Sequence, residues 1–220
     1  MRRIVGGSTV ELTAADFAAL RARHRRVVLD IGTGDGKHVL TVARADPDAL
    51  AVGLDAAADR MRGASSRAAA KPARGGLPNA VFVWAAVEAL PDELSGVTDV
   101  HVLMPWGSLL RHLVTGDPAT LRAVARLCRP GASFFVAVNL HAWRPPVAEV
   151  ADLPEPDPEW ALTTLADRYA SVGWRIGSAG YLDQPAAKEL GTSWTKRLAS
   201  SRDELAALGV RGVIGDPDVA

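Results

Sequence analysis

The segment Asp30-Ile31-Gly32-Thr33-Gly34-Asp35-Gly36 does most to limit what this chain can fold into. It follows an apolar run, Val27-Val28-Leu29, that reads as a buried strand, and it opens an amphipathic stretch, 37–45, that reads as a helix. Glycines at this spacing let the backbone turn through positive φ and come close to a ligand. A strand, a glycine turn and a helix in this order begin an open α/β sheet, and ligands bind where that first turn leaves the carboxyl edge.

The rest of the chain keeps the alternation. Residues 2–12 alternate around Gly6-Gly7 and read as a hairpin, and Thr13 caps a helix over 14–23. Strands are expected at 27–31, 50–54, 81–84, 99–103, 133–139, 174–181 and 193–198. Helices are expected at 37–45, 57–70, 88–94, after Asp117-Pro118, at 160–172 and at 185–190. Five prolines and an acidic run mark 144–158 as a loop. The expected fold is therefore α/β, a single domain over 1–220 with a mostly parallel seven-stranded sheet and an N-terminal β-hairpin.

The glycine turn departs from the nicotinamide fingerprint. That fingerprint is G-x-G-x-x-G with a pyrophosphate on the helix N-terminus. Here the spacing is G-x-G-x-G, with Asp30 ahead of it and Asp35 inside it. Carboxylates repel a pyrophosphate but attract an ammonium group, such as the methionine moiety of S-adenosylmethionine. Asp55 closes the second strand, 25 residues beyond Asp30, where an acid accepts hydrogen bonds from ribose hydroxyls. Glu88 follows the third strand, where an adenine ring would lie. Three strand ends carrying these groups are more specific than any glycine pair alone, and they point to a methyltransferase.

After the fourth strand comes Leu103-Met104-Pro105-Trp106-Gly107-Ser108. The proline fixes φ and the aromatic offers a stacking face. Near the chain end, Thr192-Ser193-Trp194-Thr195-Lys196-Arg197 places a second tryptophan among polar residues. Trp106 and Trp194 suit a clamp on a planar base, since stacking on one aromatic is worth roughly 1–3 kcal/mol per base. Two faces then offset the few kcal/mol that extruding a base costs. Trp84, Trp143, Trp160 and Trp174 read as packing residues. His101 reads as packed, and His24, His112 and His141 as structural or surface. No Cys/His cluster has metal-ligand spacing.

The strings LDIGTGDGKH (29–38), AAAKPARGGLPN (68–79), HVLMPWGSLLR (101–111), RPGASFFVAVNLHAWRP (129–145) and TSWTKRLASSRD (192–203) resemble the 16S rRNA (adenine 1408-N1)-methyltransferases. These are aminoglycoside-resistance enzymes of the kanamycin–apramycin type. The resemblance runs over nearly the whole chain and implies a Rossmann-like class I methyltransferase fold with S-adenosyl-L-methionine as cofactor. It implies a cofactor site drawn from Asp30, Gly32, Thr33, Gly34, His38, Asp55, Val87, Glu88, Leu103, Pro105, Ser108 and Thr192. It implies that Trp106 and Trp194 hold the target adenine with Ser193 nearby. It also implies that Arg62, Arg67, Lys71, Arg197 and Arg202 hold rRNA within the 30S subunit. Ala, Ser and Gly fill several of the family's basic positions between 60 and 74.

Composition bears on the partner. The formal net charge is zero, but its distribution is uneven. Arg60, Arg62, Arg67, Lys71 and Arg74 lie together without an acid, whereas Glu149, Asp152, Glu155, Asp157 and Glu159 lie together without a base. Basic runs disfavour a small metabolite as acceptor, though tRNA (at guanine N7) and small molecules remain alternatives to 16S rRNA. A nicotinamide oxidoreductase and a non-enzymatic RNA-binding module are the more distant readings. Cys128 is the only cysteine, so no intramolecular disulfide is expected. The first residues lack the apolar run of a signal peptide, and no stretch reaches the roughly 20 apolar residues of a membrane span. A cytoplasmic monomer with no membrane partner is the expectation.

Overall fold

The computed structural model describes residues 1–145, 148–192 and 206–215. Two compact units divide the chain, Met1–His101 and Val102–Ala220.

In the first unit, β1 (Arg2–Val5) and β2 (Ser8–Glu11) form the expected hairpin, with Val5 opposite Ser8. Thr13 caps α1 (Ala14–Arg21) through a capping box. Its hydroxyl accepts from the Asp16 amide (3.1 Å), and its own amide donates to the Asp16 carboxylate. Then come β3 (Arg26–Ile31), α2 (Lys37–Ala45), β4 (Ala49–Asp55), α3 (Ala58–Ala68), β5 (Ala80–Trp84) and β6 (Val97–Leu103), whose last two residues belong to the second unit. The strands lie in the order β2-β1-β5-β4-β3-β6. β3 pairs in parallel with β4 and β6, β4 pairs in parallel with β5, and β1 runs antiparallel to β5. Parallel strands covered on both faces are largely apolar, which is why Val27–Leu29 and Leu50–Val52 read as unbroken runs. Met61, Ala64 and Ala68 of α3 and Val39, Leu40 and Ala43 of α2 pack on Phe82, Ala51 and Ile4. Burying each of the larger side chains contributes about 1.5–3 kcal/mol. The buried Asn79 amide donates to the Ala43 and Ala49 carbonyls (2.9 and 3.0 Å), tying the end of α2 to the starts of β4 and β5.

The second unit holds α4 (Gly107–Thr115), α5 (Pro118–Ala125), β7 (Cys128–Asn139), α6 (Pro158–Trp160), a π-helical stretch (Ala161–Leu165), α7 (Ala166–Ala170), β8 (Trp174–Tyr181), α8 (Gln184–Glu189) and β9 (Ala207–Ile214). β9 pairs antiparallel with both β7 and β8. Phe134, Tyr169 and Trp174 form its aromatic core, with ring centroids 4.8–6.1 Å apart. Both polar tips are satisfied: the Tyr169 hydroxyl donates to Leu113 O and the Trp174 indole to Leu121 O, each at 3.1 Å.

Six of the seven expected sheet strands and the hairpin stand where the sequence placed them. The seventh differs. The last strand is β9 at Ala207–Ile214, and the segment 193–198 lies outside the described residues. The helix expected over 88–94 is only a 3-10 turn, Val87–Ala89, because Pro91 cannot donate to a growing helix. α4 has no counterpart among the expected helices. No described helix is long and apolar enough to cross a membrane.

Candidate functional site

The first unit gathers a cluster at the carboxyl ends of β3, β4 and β5. Gly32, Gly34 and Gly36 all take positive φ (72°, 58° and 70°), so the backbone reverses between β3 and α2 within a few residues. The turn is pinned to β4: the Gly32 and Thr33 amides donate to Leu54 O (2.8 and 3.0 Å), and the Gly34 amide donates to Asp55 Oδ2 (2.8 Å). Gly36 serves packing rather than ligand approach. A Cβ there would lie 2.5 Å from the Phe82 ring and 2.8 Å from the Ala64 methyl.

Asp30 is 3% exposed, and Thr33 Oγ1 donates to its Oδ2 at 2.6 Å. Burial pushes its carboxyl above the usual range, while the nearby His38 and the Thr33 hydroxyl pull the other way. Asp55 accepts from the Gly34 amide and, through Oδ1, from the Ala57 amide (2.7 Å). Each carboxylate oxygen carries a second lone pair, so Asp55 keeps capacity for ribose hydroxyls. Asp35 instead pairs with Lys37 at 2.6 Å. Val87 is buried on the turn after β5, and Glu88 is exposed beside it. Trp84 packs as expected, donating to Ala56 O (3.0 Å) under the Arg2 guanidinium, 3.7 Å from its ring centroid. This set fits S-adenosylmethionine: a buried carboxylate for an ammonium group and an acceptor for hydroxyls.

The second unit carries the other candidates. Leu103, Met104 and Pro105 are buried, Trp106 is half-buried and Ser108 is exposed. The Met104 amide donates to Ala137 O (2.7 Å), and Met104 itself has φ of +54°, a conformation costly for a side chain of its kind. Trp106 stands at the N-cap of α4 without capping its amides; Glu149 Oε1 accepts from the Gly107 amide instead (2.6 Å). Thr192 is half-buried. Ser193, Trp194, Arg197 and Arg202 lie outside the described residues.

Of the basic candidates on α3 and after it, Arg67 and Lys71 are exposed, Arg67 bonding locally to Gly63 O. Arg62 is committed within the fold, to Asp59 (2.7 Å) and to the Gly7 carbonyl. Two residues escaped the sequence reading. His101 lies 2.8 Å from His38, Nδ1 to Nε2, although 63 residues separate them and no local pattern signals the pairing. Glu149 sits in an acidic run that reads as solvated, and nothing in the sequence joins it to Gly107.

The family model described as NpmA, 16S rRNA (adenine(1408)-N(1))-methyltransferase, matches residues 2–213. The chain belongs to that family. A 16S rRNA (adenine(1408)-N(1))-methyltransferase of Streptoalloteichus tenebrarius is 54% identical over 214 residues, covering 97% of this chain and 99% of the relative. Among solved structures, the 16S rRNA methyltransferase KamB superposes with a TM-score of 0.92 at 53% identity, covering 98% of this chain and all of that one. A tryptophan-to-alanine mutant of a 16S rRNA (adenine(1408)-N(1))-methyltransferase from Catenulisporales acidiphilia, solved with its cosubstrate SAM, gives 0.89 at 36% identity, over 99% of this chain and 98% of that one. The class I methyltransferase fold, the S-adenosylmethionine dependence and the choice of 16S rRNA over tRNA or a metabolite follow from membership of this 16S rRNA (adenine(1408)-N(1))-methyltransferase family.

Proposed function

We propose that this 16S rRNA (adenine(1408)-N(1))-methyltransferase acts on the assembled 30S subunit, in the cytoplasm, as a monomer and a single domain, and thereby confers aminoglycoside resistance. The observation that carries the cofactor part is the buried Asp30 carboxylate beside a glycine turn whose Gly34 amide is held by Asp55. Asp30, Gly32, Thr33, Gly34 and His38 receive the methionine end of the donor, Asp55 its ribose, and Val87 and Glu88 its adenine. Leu103, Pro105, Ser108 and Thr192 complete the contacts. Trp106 and Trp194 clamp the target base, with Ser193 beside them. Arg62, Arg67, Lys71, Arg197 and Arg202 take rRNA phosphates, with Arg62 limited by its bonds to Asp59 and Gly7.

S-adenosylmethionine supplies an electrophilic methyl group. Adenine N1 presents a lone pair once the base leaves its stack, so no proton has to depart before the methyl arrives. Positioning between aromatic faces is therefore sufficient and a catalytic base is not required. The sulfonium's positive charge passes to N1-methyladenine, and that charge disfavours a cationic aminoglycoside at the decoding site. The family match from residue 2 to 213 spans both compact units and supports one domain. Exposed large apolar side chains among the described residues are scattered (Val10, Leu162, Tyr181, Val213), which supports a monomer. The test is methyl transfer to purified 30S subunits, free 16S rRNA and tRNA side by side. Transfer to 30S alone, lost in Trp106→Ala while 30S binding persists, is expected. Transfer to free rRNA at an equal rate, or full activity of Trp106→Ala, overturns the reading.

A further inference from the structure

Among the described residues, Asp30 is the only buried carboxylate. A charge in that position needs a counter-charge close by. The groups around it offer few. Asp35 on the glycine turn and Asp55 on β4 are acids and raise its pKa further. Lys37, at the start of α2, is paired with Asp35 at 2.6 Å. On β6, Asp99 is held by Arg26 (3.1 Å) and Thr98 (2.6 Å). His101 on β6 stands opposite Asp30 in the β3–β6 register, and His38, 9% exposed in the first turn of α2, bears on the same carboxylate. Nε2 of His38 lies 2.8 Å from Nδ1 of His101, so one ring donates to the other. One additional proton makes the pair a single cation that shares the bridging hydrogen.

We propose that the His38–His101 pair is the counter-charge of Asp30 when no cofactor is bound, carrying one proton that it releases to solvent as the ammonium group of the methyl donor takes its place. This rests on the reading that Asp30 receives that ammonium. The charge balances: one cation enters beside Asp30 and one proton leaves, with no covalent change. His38 also meets the methionine end of the donor, and His101 acts through it as a positioning residue. The free protein binds the extra proton, so cofactor affinity strengthens as pH rises. Where one proton is released per ligand, each pH unit strengthens binding by about tenfold, and where none is released affinity does not change with pH.

Calorimetric titration of the full chain with S-adenosylhomocysteine, in buffers of different ionisation enthalpy between pH 5.5 and 7.5, counts the protons released. We expect release to approach one proton per ligand at the acid end. Methylthioadenosine, which lacks the ammonium, binds without release, and the His38→Gln/His101→Phe variant, weakened by loss of the His38 contact, binds S-adenosylhomocysteine without release and without pH dependence. If that variant does not fold, the ligand comparison on the unaltered protein decides, together with imidazole nitrogen resonances that change from charged to neutral on adding S-adenosylhomocysteine. Release that survives in the double variant overturns the proposal and places the proton on Asp30 itself, and equal release with methylthioadenosine overturns it because the release is then not tied to the ammonium. S-adenosylhomocysteine binding with no release overturns it while leaving Asp30 as the ammonium site. Failure of S-adenosylhomocysteine to bind overturns both.

Discussion

Gly34 and Gly36 stand two residues apart in one turn and are required for different reasons. Gly34 takes a φ of +58° with open space where a Cβ would be, so only backbone strain opposes an alanine. Gly36 combines a φ of +70° with a Cβ position that collides with Phe82 and Ala64. Gly34→Ala should therefore cost about 1–2 kcal/mol. Gly36→Ala should cost that and a further 1–3 kcal/mol of overpacking. Urea unfolding of the two variants measures the difference, and equal costs would remove the packing role of Gly36. At this scale the sequence was legible where chemistry is local. Asp30, Asp55 and Glu88 fall at strand ends because strand ends are readable from apolar runs. The partners of His38 and of the Gly107 amide were not legible, since His101 and Glu149 arrive from distant segments with no periodic relation to them.

Capping shows the same division among elements. Asp117-Pro118 announces α5, and the Asp117 carboxylate accepts from the Thr120 amide at 2.8 Å. That bond holds the Asp117 carboxyl below the usual range. A depressed value means that its stabilising contribution is complete above the unfolded value of about 3.9 and is lost as pH falls through the lower folded value. Melting temperatures of the native chain and of Asp117→Asn should thus differ more at pH 7 than at pH 3; a constant gap would refute the linkage. α4 lacks such a signal because its N-cap is Trp106 and its first amide is satisfied by Glu149 from a remote loop. β9 was hidden by its own glycines. A Cβ at Gly212 would lie 2.0 Å from Arg175 O and 2.7 Å from the Phe134 ring, so residues that read as loop are the ones that let the strand sit between β7 and β8.

At the scale of the whole molecule, zero net charge does not prevent binding to a polyanion, because the exposed Arg67 and Lys71 belong to a basic stretch without acids. Arg67→Glu and Lys71→Glu should each weaken 30S binding and flatten its dependence on salt by about one counterion, with cofactor affinity unchanged. Filter binding over a salt series reads both effects, and an unchanged slope would remove these residues from the interface. The parallel α/β layout was legible as a whole, since alternating apolar runs and amphipathic stretches fix it. The target atom lies beyond such patterns and rests on long, unusual strings and on the relatives that share them. The central claim is methylation at N1 of adenine 1408. Its most direct test is incubation of unmodified 30S subunits with this chain and S-adenosylmethionine, followed by primer extension across the decoding site. A methylated N1 cannot pair, so a reverse-transcriptase stop immediately before adenine 1408 is predicted; read-through there, or a stop at another nucleotide, would contradict it.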